Sequence, residues 1–250
     1  MKIYVLGSSS SGNSFLFINE KTKILVDIGF SKSYIEKKLK ELNIELNEID
    51  GILISHEHQD HCKGLKSLQK THKVFSSPGT IEALIDSFPD IKFELINEKI
   101  LINDIEVISF KKNHDAKDPI GFILKDKENC VLNLTDFGCF DDNLIEFLNN
   151  FEFTDILLEA NYDNFLLDHG RYPFILKERI KGKYGHCSNL DSLKFLNHLN
   201  LEKVKNIVLC HLSENNNSPS IVNDLFKSAF GKEHNVFVAN PTRLLKLNDN

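Results

Sequence analysis

The chain has 250 residues, 41% hydrophobic and 26% charged, a make-up that excludes a disordered or fibrous chain. Lys+Arg 30 against Asp+Glu 36 gives a net charge of −6, which excludes a globally basic nucleic-acid coat but leaves room for a local basic patch. The five cysteines, Cys62, Cys130, Cys139, Cys187 and Cys210, are odd in number and form no C-x-x-C pair. That argues against a disulfide framework or a zinc ribbon and suits a reducing cytosol.

In chain order, strands are expected at 3–6 and 14–18 around a Ser/Gly loop that reads as an ordinary turn, and at 23–27. Apolar residues at helical spacing over 31–42, with Ser31 as cap, predict a helix, and GILIS at 51–55 predicts a short buried strand. A helix is expected after His61. Further strands are expected at 73–76, 92–95, 105–110, 120–125, 130–134, 154–158, 206–210 and 235–239. Helices are expected at 79–87, 141–149, 173–181, 189–199 and 219–229, with Pro173 in a first turn and Gly182 past the end. Strands cluster early and alternate with helices later, which predicts two mixed sheets with helices outside rather than a doubly wound parallel sheet. There is no internal repeat and no Pro/Gly/Ser linker, so a single domain over 1–250 is expected. The N-terminal apolar run is too short for a signal peptide, and no run approaches the ~18–20 residues of a membrane span, so a cytoplasmic chain without membrane contact is expected.

The informative segment is Ser55-His56-Glu57-His58-Gln59-Asp60-His61, placed where a buried strand ends. In extended backbone His56 and His58 point the same way, and Asp60 and His61 approach the same cavity from another direction. One divalent ion can take the first pair and a second ion the other; imidazole and carboxylate suit zinc, manganese or iron. The alternative is a polar loop, or one mononuclear structural site. Three further strand ends supply donors: His114 after a strand, Asp136 after VLNL, and His211 after VLC.

This set resembles the metallo-β-lactamase superfamily, whose pattern is an early Asp, H-x-H-x-D-H, a later His, an Asp and a last His. The resemblance implies an α/β (α+β) fold, a four-layer αββα sandwich. It implies a first metal on His56, His58 and His114, a second on Asp60, His61 and His211, and Asp136 bridging both. Asp27 in LVDIG would steady the ligand loop by hydrogen bonds, or is a strand-end turn residue. GSSSSGNS (7–14), SHEHQDHCKGL (55–65), NHDAKDPIGF (113–122), GRYPFILKERI (170–180), GHCSN (185–189) and HLSENN (211–216) resemble the YycJ/WalJ branch, whose members look like DNA exonucleases. One departure is Tyr162 in Asn161-Tyr162-Asp163, where that branch would carry His.

The resemblance implies two divalent ions that hold a hydroxide and polarise a phosphoryl oxygen, with Asp136 setting their spacing and Asp60 also orienting the nucleophile. His186 in GHCSN is the candidate proton donor or phosphate contact, or else a residue preceding the helix near Asn189. By similarity to transfer-RNA-processing nucleases, Glu159 would orient it. Arg171, Lys177, Arg179, Lys181 and Lys183 against Glu178 give a local +4 over 171–183. Arg171, Lys177 and Lys181 would track a nucleic-acid backbone, or the run is a solvated helix face. Lys111 and Lys112 would add to this charge. Tyr172 and Phe174 could stack on bases, or Phe174 belongs to the core. His72, His198 and His234 read as surface residues.

The expected activity is that of a two-metal phosphodiesterase or nuclease, a 5′-to-3′ double-stranded DNA exonuclease by resemblance, with nucleic acid as partner. The alternatives are a small-molecule hydrolase of the same fold, a cyclic phosphodiesterase or thioesterase, and a metal-binding scaffold with little turnover. The sequence points to no protein partner.

Overall fold

A computed structural model describes residues 1–68 and 72–248. The chain runs β1 (Lys2–Ser9), β2 (Gly12–Ile18), β3 (Lys23–Val26), α1 (Lys32–Lys40), β4 (Gly51–Leu53), α2 (Gln59–Cys62), β5 (Lys73–Ser76), α3 (Pro78–Leu84) and β6 (Lys92–Leu95). It continues through β7 (Lys99–Ile102), β8 (Ile105–Lys111), β9 (Ile120–Lys125), β10 (Cys130–Leu134), α4 (Asp142–Leu148), β11 (Asp155–Glu159), α5 (Asn164–His169), α6 (Phe174–Lys181) and α7 (Asn189–Asn197). β12 (Asn206–Cys210), α8 (Pro219–Phe230), β13 (Asn235–Val238) and β14 (Leu245–Leu247) follow. Two compact units result: Met1–Lys111 with Ala116–Glu128 and Asn240–Asn250, and Lys112–Asp115 with Asn129–Ala239.

The first unit holds a seven-stranded sheet in the order β14-β1-β2-β3-β4-β5-β6. The tight turn after Ser9 makes β1 and β2 an antiparallel hairpin, and β3 continues antiparallel. From β3 onward a helical segment separates successive strands, so β3, β4, β5 and β6 pair in parallel. The core under this sheet includes Leu6, Leu16, Leu25, Ile52 and Val74, and α1 adds Ile35 and Leu39. Ser31 caps α1 by accepting the Tyr34 N–H. β7, β8 and β9 form an antiparallel meander in the same unit.

The second unit is built on four parallel strands, β10 to β13. β10, β11 and β12 are buried at every position, as their largely apolar sequences favour in parallel strands. Their registers pair Leu134 with Leu158 and Glu159 with Cys210, which brings Asp136, Glu159 and His211 to one carboxyl edge. In the first unit Val26 pairs with Leu53, so Asp27 and Ser55 likewise follow neighbouring carboxyl ends. This is the edge at which open α/β sheets place their ligands.

The expected strands and helices are present, with ends displaced by a few residues. β7, β14 and α5 are elements that sequence periodicity passes over, being short. Three details correct the expectation. The helix expected after His61 begins at Gln59, so Asp60 and His61 lie within its single turn. Pro173 is the N-cap of α6 rather than a first-turn residue. His72 is buried, with Nε2 3.2 Å from the Leu46 carbonyl, because its polar atom finds a backbone partner in the core. Among the described residues no helix is long and apolar enough to cross a membrane.

The segment after Asp27 is fixed against α2 by backbone alone. Ile28 N–H donates to the His61 carbonyl (2.8 Å), and Gly64 N–H donates to the Ile28 carbonyl (2.7 Å). A Cβ on Gly29 would lie 1.7 Å from the Asp60 carbonyl oxygen, so only glycine fits. Gly29→Ala is therefore expected to destabilise the protein by about 2 kcal/mol or more, read as a lower urea midpoint.

Candidate metal centre

The donor residues of the first unit stand on the loop and helical turn that follow β4. His56 and His58 have ring centroids 4.7 Å apart, and His56 and His61 4.2 Å apart. Asp60 Oδ2 lies 3.3 Å from His61 Nε2. Glu57, between the histidines, accepts the Lys117 N–H at 2.7 Å and so pins the loop.

Asp27, fully buried, organises this group. Its carboxylate accepts the Ser55 N–H (2.8 Å), the Ser55 hydroxyl (2.9 Å) and His61 Nδ1 (2.7 Å). Because the Ser55 proton goes to Asp27, Ser55 Oγ is left to accept from His56 Nδ1 at 2.9 Å. Both imidazoles thus carry their proton on Nδ1 and present the lone pair of Nε2. Asn13, at the start of β2, places its amide nitrogen 3.2 Å from His61 Nε2, as befits an acceptor there.

The second unit repeats the arrangement with Glu159, also fully buried. Glu159 Oε1 accepts from His186 Nδ1 (2.7 Å) and His211 Nδ1 (2.9 Å), while Oε2 accepts the Phe137 N–H (3.0 Å). Burial pushes the Glu159 carboxyl upward, but the adjoining His186 and His211 outweigh it and hold the group below the usual carboxylate range. His114 donates Nδ1–H to the Gly185 carbonyl at 3.1 Å, and burial pushes its pKa down, so the ring stays neutral. Asp136 Oδ1 lies 3.4 Å from His211 Nε2 and 3.7 Å from His114 Nε2. Asp136, Glu159, His186 and His211 offer ligand atoms all within 4.8 Å of one another.

Asp27, Asp136 and His211 share a further property: each has φ near +55° (58°, 54° and 55°) within two residues of a strand's carboxyl end. Left-handed backbone is unfavourable for residues with a Cβ and recurs where function holds it in place.

The donor set fits a divalent metal. His56, His61, His114 and His211 each place Nδ1 on an oxygen acceptor, which fixes the tautomer and ring orientation in the way metal-bound histidines require.

The Beta-lactamase superfamily domain matches residues 22–211. The chain belongs to the beta-lactamase superfamily. Within the superfamily it is 34% identical over 223 residues to the Exodeoxyribonuclease YycJ of Bacillus anthracis, covering 85% of this chain and 83% of that one. It is 36% identical over 227 residues to the Exodeoxyribonuclease WalJ of Streptococcus pneumoniae, covering 86% and 83%. Among solved structures, the metallo-beta-lactamase fold protein YhfI from Bacillus subtilis superposes with a TM-score of 0.73 at 14% identity, over 98% of each chain. A diphosphatase from the PhnP family gives 0.72 at 17% identity, over 99% of this chain and 98% of that one. The superfamily fold is the α/β sandwich of two mixed sheets with helices that the sequence predicts, and the chain is a hydrolase of that fold.

Among the other expected site residues, Arg171 is exposed. Lys177 donates to the Asp168 carbonyl at 2.8 Å, Lys181 pairs with the Asp168 carboxylate, and Arg179 pairs with Asp115. Lys112 departs from the expected surface charge: it is buried and donates to the Thr135 carbonyl at 2.6 Å, beside Asp136. Lys111 pairs with Asp118. Phe174 is 74% exposed and not core. In Asn161-Tyr162-Asp163 the ring of Tyr162 is buried, and it is Asn161 that meets the site, donating to the His211 carbonyl at 2.8 Å. Sequence reading does not single out Asn13, Ser55, Asn161 or the Gly185 carbonyl. Asn13 and Ser55 lie in segments that carry the resemblance, Asn161 lies in the triplet that departs from it, and a backbone acceptor leaves no sequence signal.

Asp27→Asn removes the charged acceptor of Ser55 and His61, and metal affinity is expected to fall about 10–100-fold, read by competition with a chelating dye. Glu159→Gln yields a pH-dependent stability difference in the metal-free protein. A carboxyl lowered in the folded state contributes stability above the ordinary value of 4.5 and loses it as pH falls toward the lowered value. The gap between wild type and Glu159→Gln in urea melts is thus expected to be full near neutrality and to close in acid.

Proposed function

We propose that this hydrolase is a two-metal phosphodiesterase that degrades DNA from 5′ ends, working in the cytoplasm with both compact units acting as one catalytic domain. The reading is supported by identity of 34–36% over most of the chain to relatives named exodeoxyribonucleases. It is carried by the four imidazoles whose Nδ1 atoms are held by oxygen acceptors, which makes Nε2 the atom that would bind an ion. In this reading His56, His58 and His114 hold one ion, Asp60, His61 and His211 hold the other, and Asp136 serves both. Zinc, manganese or iron suits such donors.

Bound there, divalent ions supply charge neutralisation at the phosphoryl oxygens and an acidified water. The chain's own residues do the rest. Asp60 orients the attacking water. Glu159 accepts the Nδ1–H of His186 at 2.7 Å, which aims Nε2 away from the carboxylate. His186 Nε2 then donates a proton to the leaving alkoxide as the phosphorus–oxygen bond breaks. Arg171, Lys177 and Lys181 meet the nucleic-acid backbone.

The test is degradation of end-labelled duplex DNA, nicked DNA and RNA with manganese or zinc. Mononucleotide release from 5′ ends of duplex DNA is expected, abolished in Asp136→Ala and reduced about 10²–10⁴-fold in kcat in His186→Ala with metal content unchanged. Equal activity in Asp136→Ala overturns the two-metal mechanism. Turnover only of small cyclic diesters or thioesters shows a small-molecule hydrolase instead.

A further inference from the structure

Helix α6 buries none of its eight residues, although it opens Phe174-Ile175-Leu176. Phe174 is 74% exposed and Ile175 82% exposed. Isolated exposed apolar residues need no explanation, but an adjacent Phe–Ile pair at the tip of a helix that contributes nothing to the core does. Around the pair, residues 171–183 carry five cations against Glu178, and counting Asp168 and Asp115, which pair with two of them, a surplus of +2 remains (5 − 1 − 2) on a chain of net −6.

The other end of α6 is built into the candidate metal centre. Arg179 Nε donates to Asp115 Oδ2 at 2.5 Å, next to His114. The Asp115 N–H donates to the Tyr184 carbonyl (2.9 Å), and the His186 N–H donates to the Ile180 carbonyl (2.8 Å). A Cβ on Gly185 would lie 2.2 Å from the Ile180 oxygen, so the loop that presents the Gly185 carbonyl to His114 is closed tightly on the helix. A ligand seated on α6 is thereby held in fixed register with His114 and His186.

We propose that Phe174 and Ile175 form a stacking platform for the terminal base of a DNA strand, a proposal that rests on the nuclease reading above. Base faces are hidden inside a duplex and bare only at an end or in a single strand, so an exposed apolar platform on a segment with surplus positive charge recognises ends and not duplex interiors. A second copy of this chain is disfavoured as occupant, because a two-fold interface would set the same cations against each other.

The test uses the metal-loaded protein and a duplex with non-hydrolysable phosphorothioate linkages, carrying a fluorescent adenine analogue either at the 5′ terminus or in the middle. Wild type is expected to quench the terminal probe and not the central one. Phe174→Ser is expected to bind the duplex about tenfold or more weakly, the loss of one base–aromatic stack, and Phe174→Tyr to restore binding. Circular dichroism confirms that both variants fold. If wild type degrades DNA and Phe174→Ser binds it equally well, the platform is refuted and the nuclease reading stands. If wild type neither binds nor degrades nucleic acid, both fall. If Phe174→Ser instead loses self-association or binding to anionic vesicles, the face belongs to a second copy or a lipid surface and the proposal is overturned.

Discussion

A buried carboxylate at a strand end sets the local donor geometry within each of the two units. Asp27 gathers Ser55 and His61, and through the Ser55 hydroxyl it reaches His56. Glu159 gathers His186, His211 and the Phe137 amide. Neither group survives in the interior as an unpaired charge, and each is satisfied by donors that also need fixing. The cost of burying the carboxylate and the orientation of the imidazoles are therefore one problem with one solution. Without these acceptors the Nδ1 and Nε2 tautomers would compete, and a ring could rotate its lone pair out of use.

Sheet register determines which groups meet within each unit. Parallel pairing of β3 with β4, and of β10 through β12, puts successive carboxyl ends side by side, so residues far apart in sequence become neighbours. Glycines then admit backbone where side chains would block it. Gly29 lets the chain after Asp27 lie on the Asp60 carbonyl, and Gly185 lets the loop before His186 close on α6. The hydrogen bonds that fix donors in each unit are thus largely made to backbone or to buried side chains, with little left to solvent-exposed pairs, which are weak.

The sequence carried much of this in plain view. The strands ending at Val26, Leu53, Leu134 and Cys210 are short apolar runs, and polar residues immediately beyond them announced His56 to His61, Asp136 and His211. The pairing of His186 with Glu159 was also foreseeable, but the sharing of Glu159 with His211 was not, because it depends on which strands are adjacent. The Ser55 hydroxyl relay and the Gly185 carbonyl are invisible in a string of letters, since each is a matter of direction rather than residue type. Lys112 and His72 went astray for the same reason: a long polar side chain is assigned to solvent unless a buried carbonyl is known to await it. Phe174 erred in the opposite direction, because aromatic residues are assigned to cores by default.

The left-handed backbone at Asp27, Asp136 and His211 bears on how such a chain can change over time. At each position glycine would relieve strain worth about 1 kcal/mol or more. Random drift judged on folding alone would therefore erode these positions early, toward glycine or asparagine. A descendant freed from its chemical task should show the wear here first, while its apolar strands still look intact.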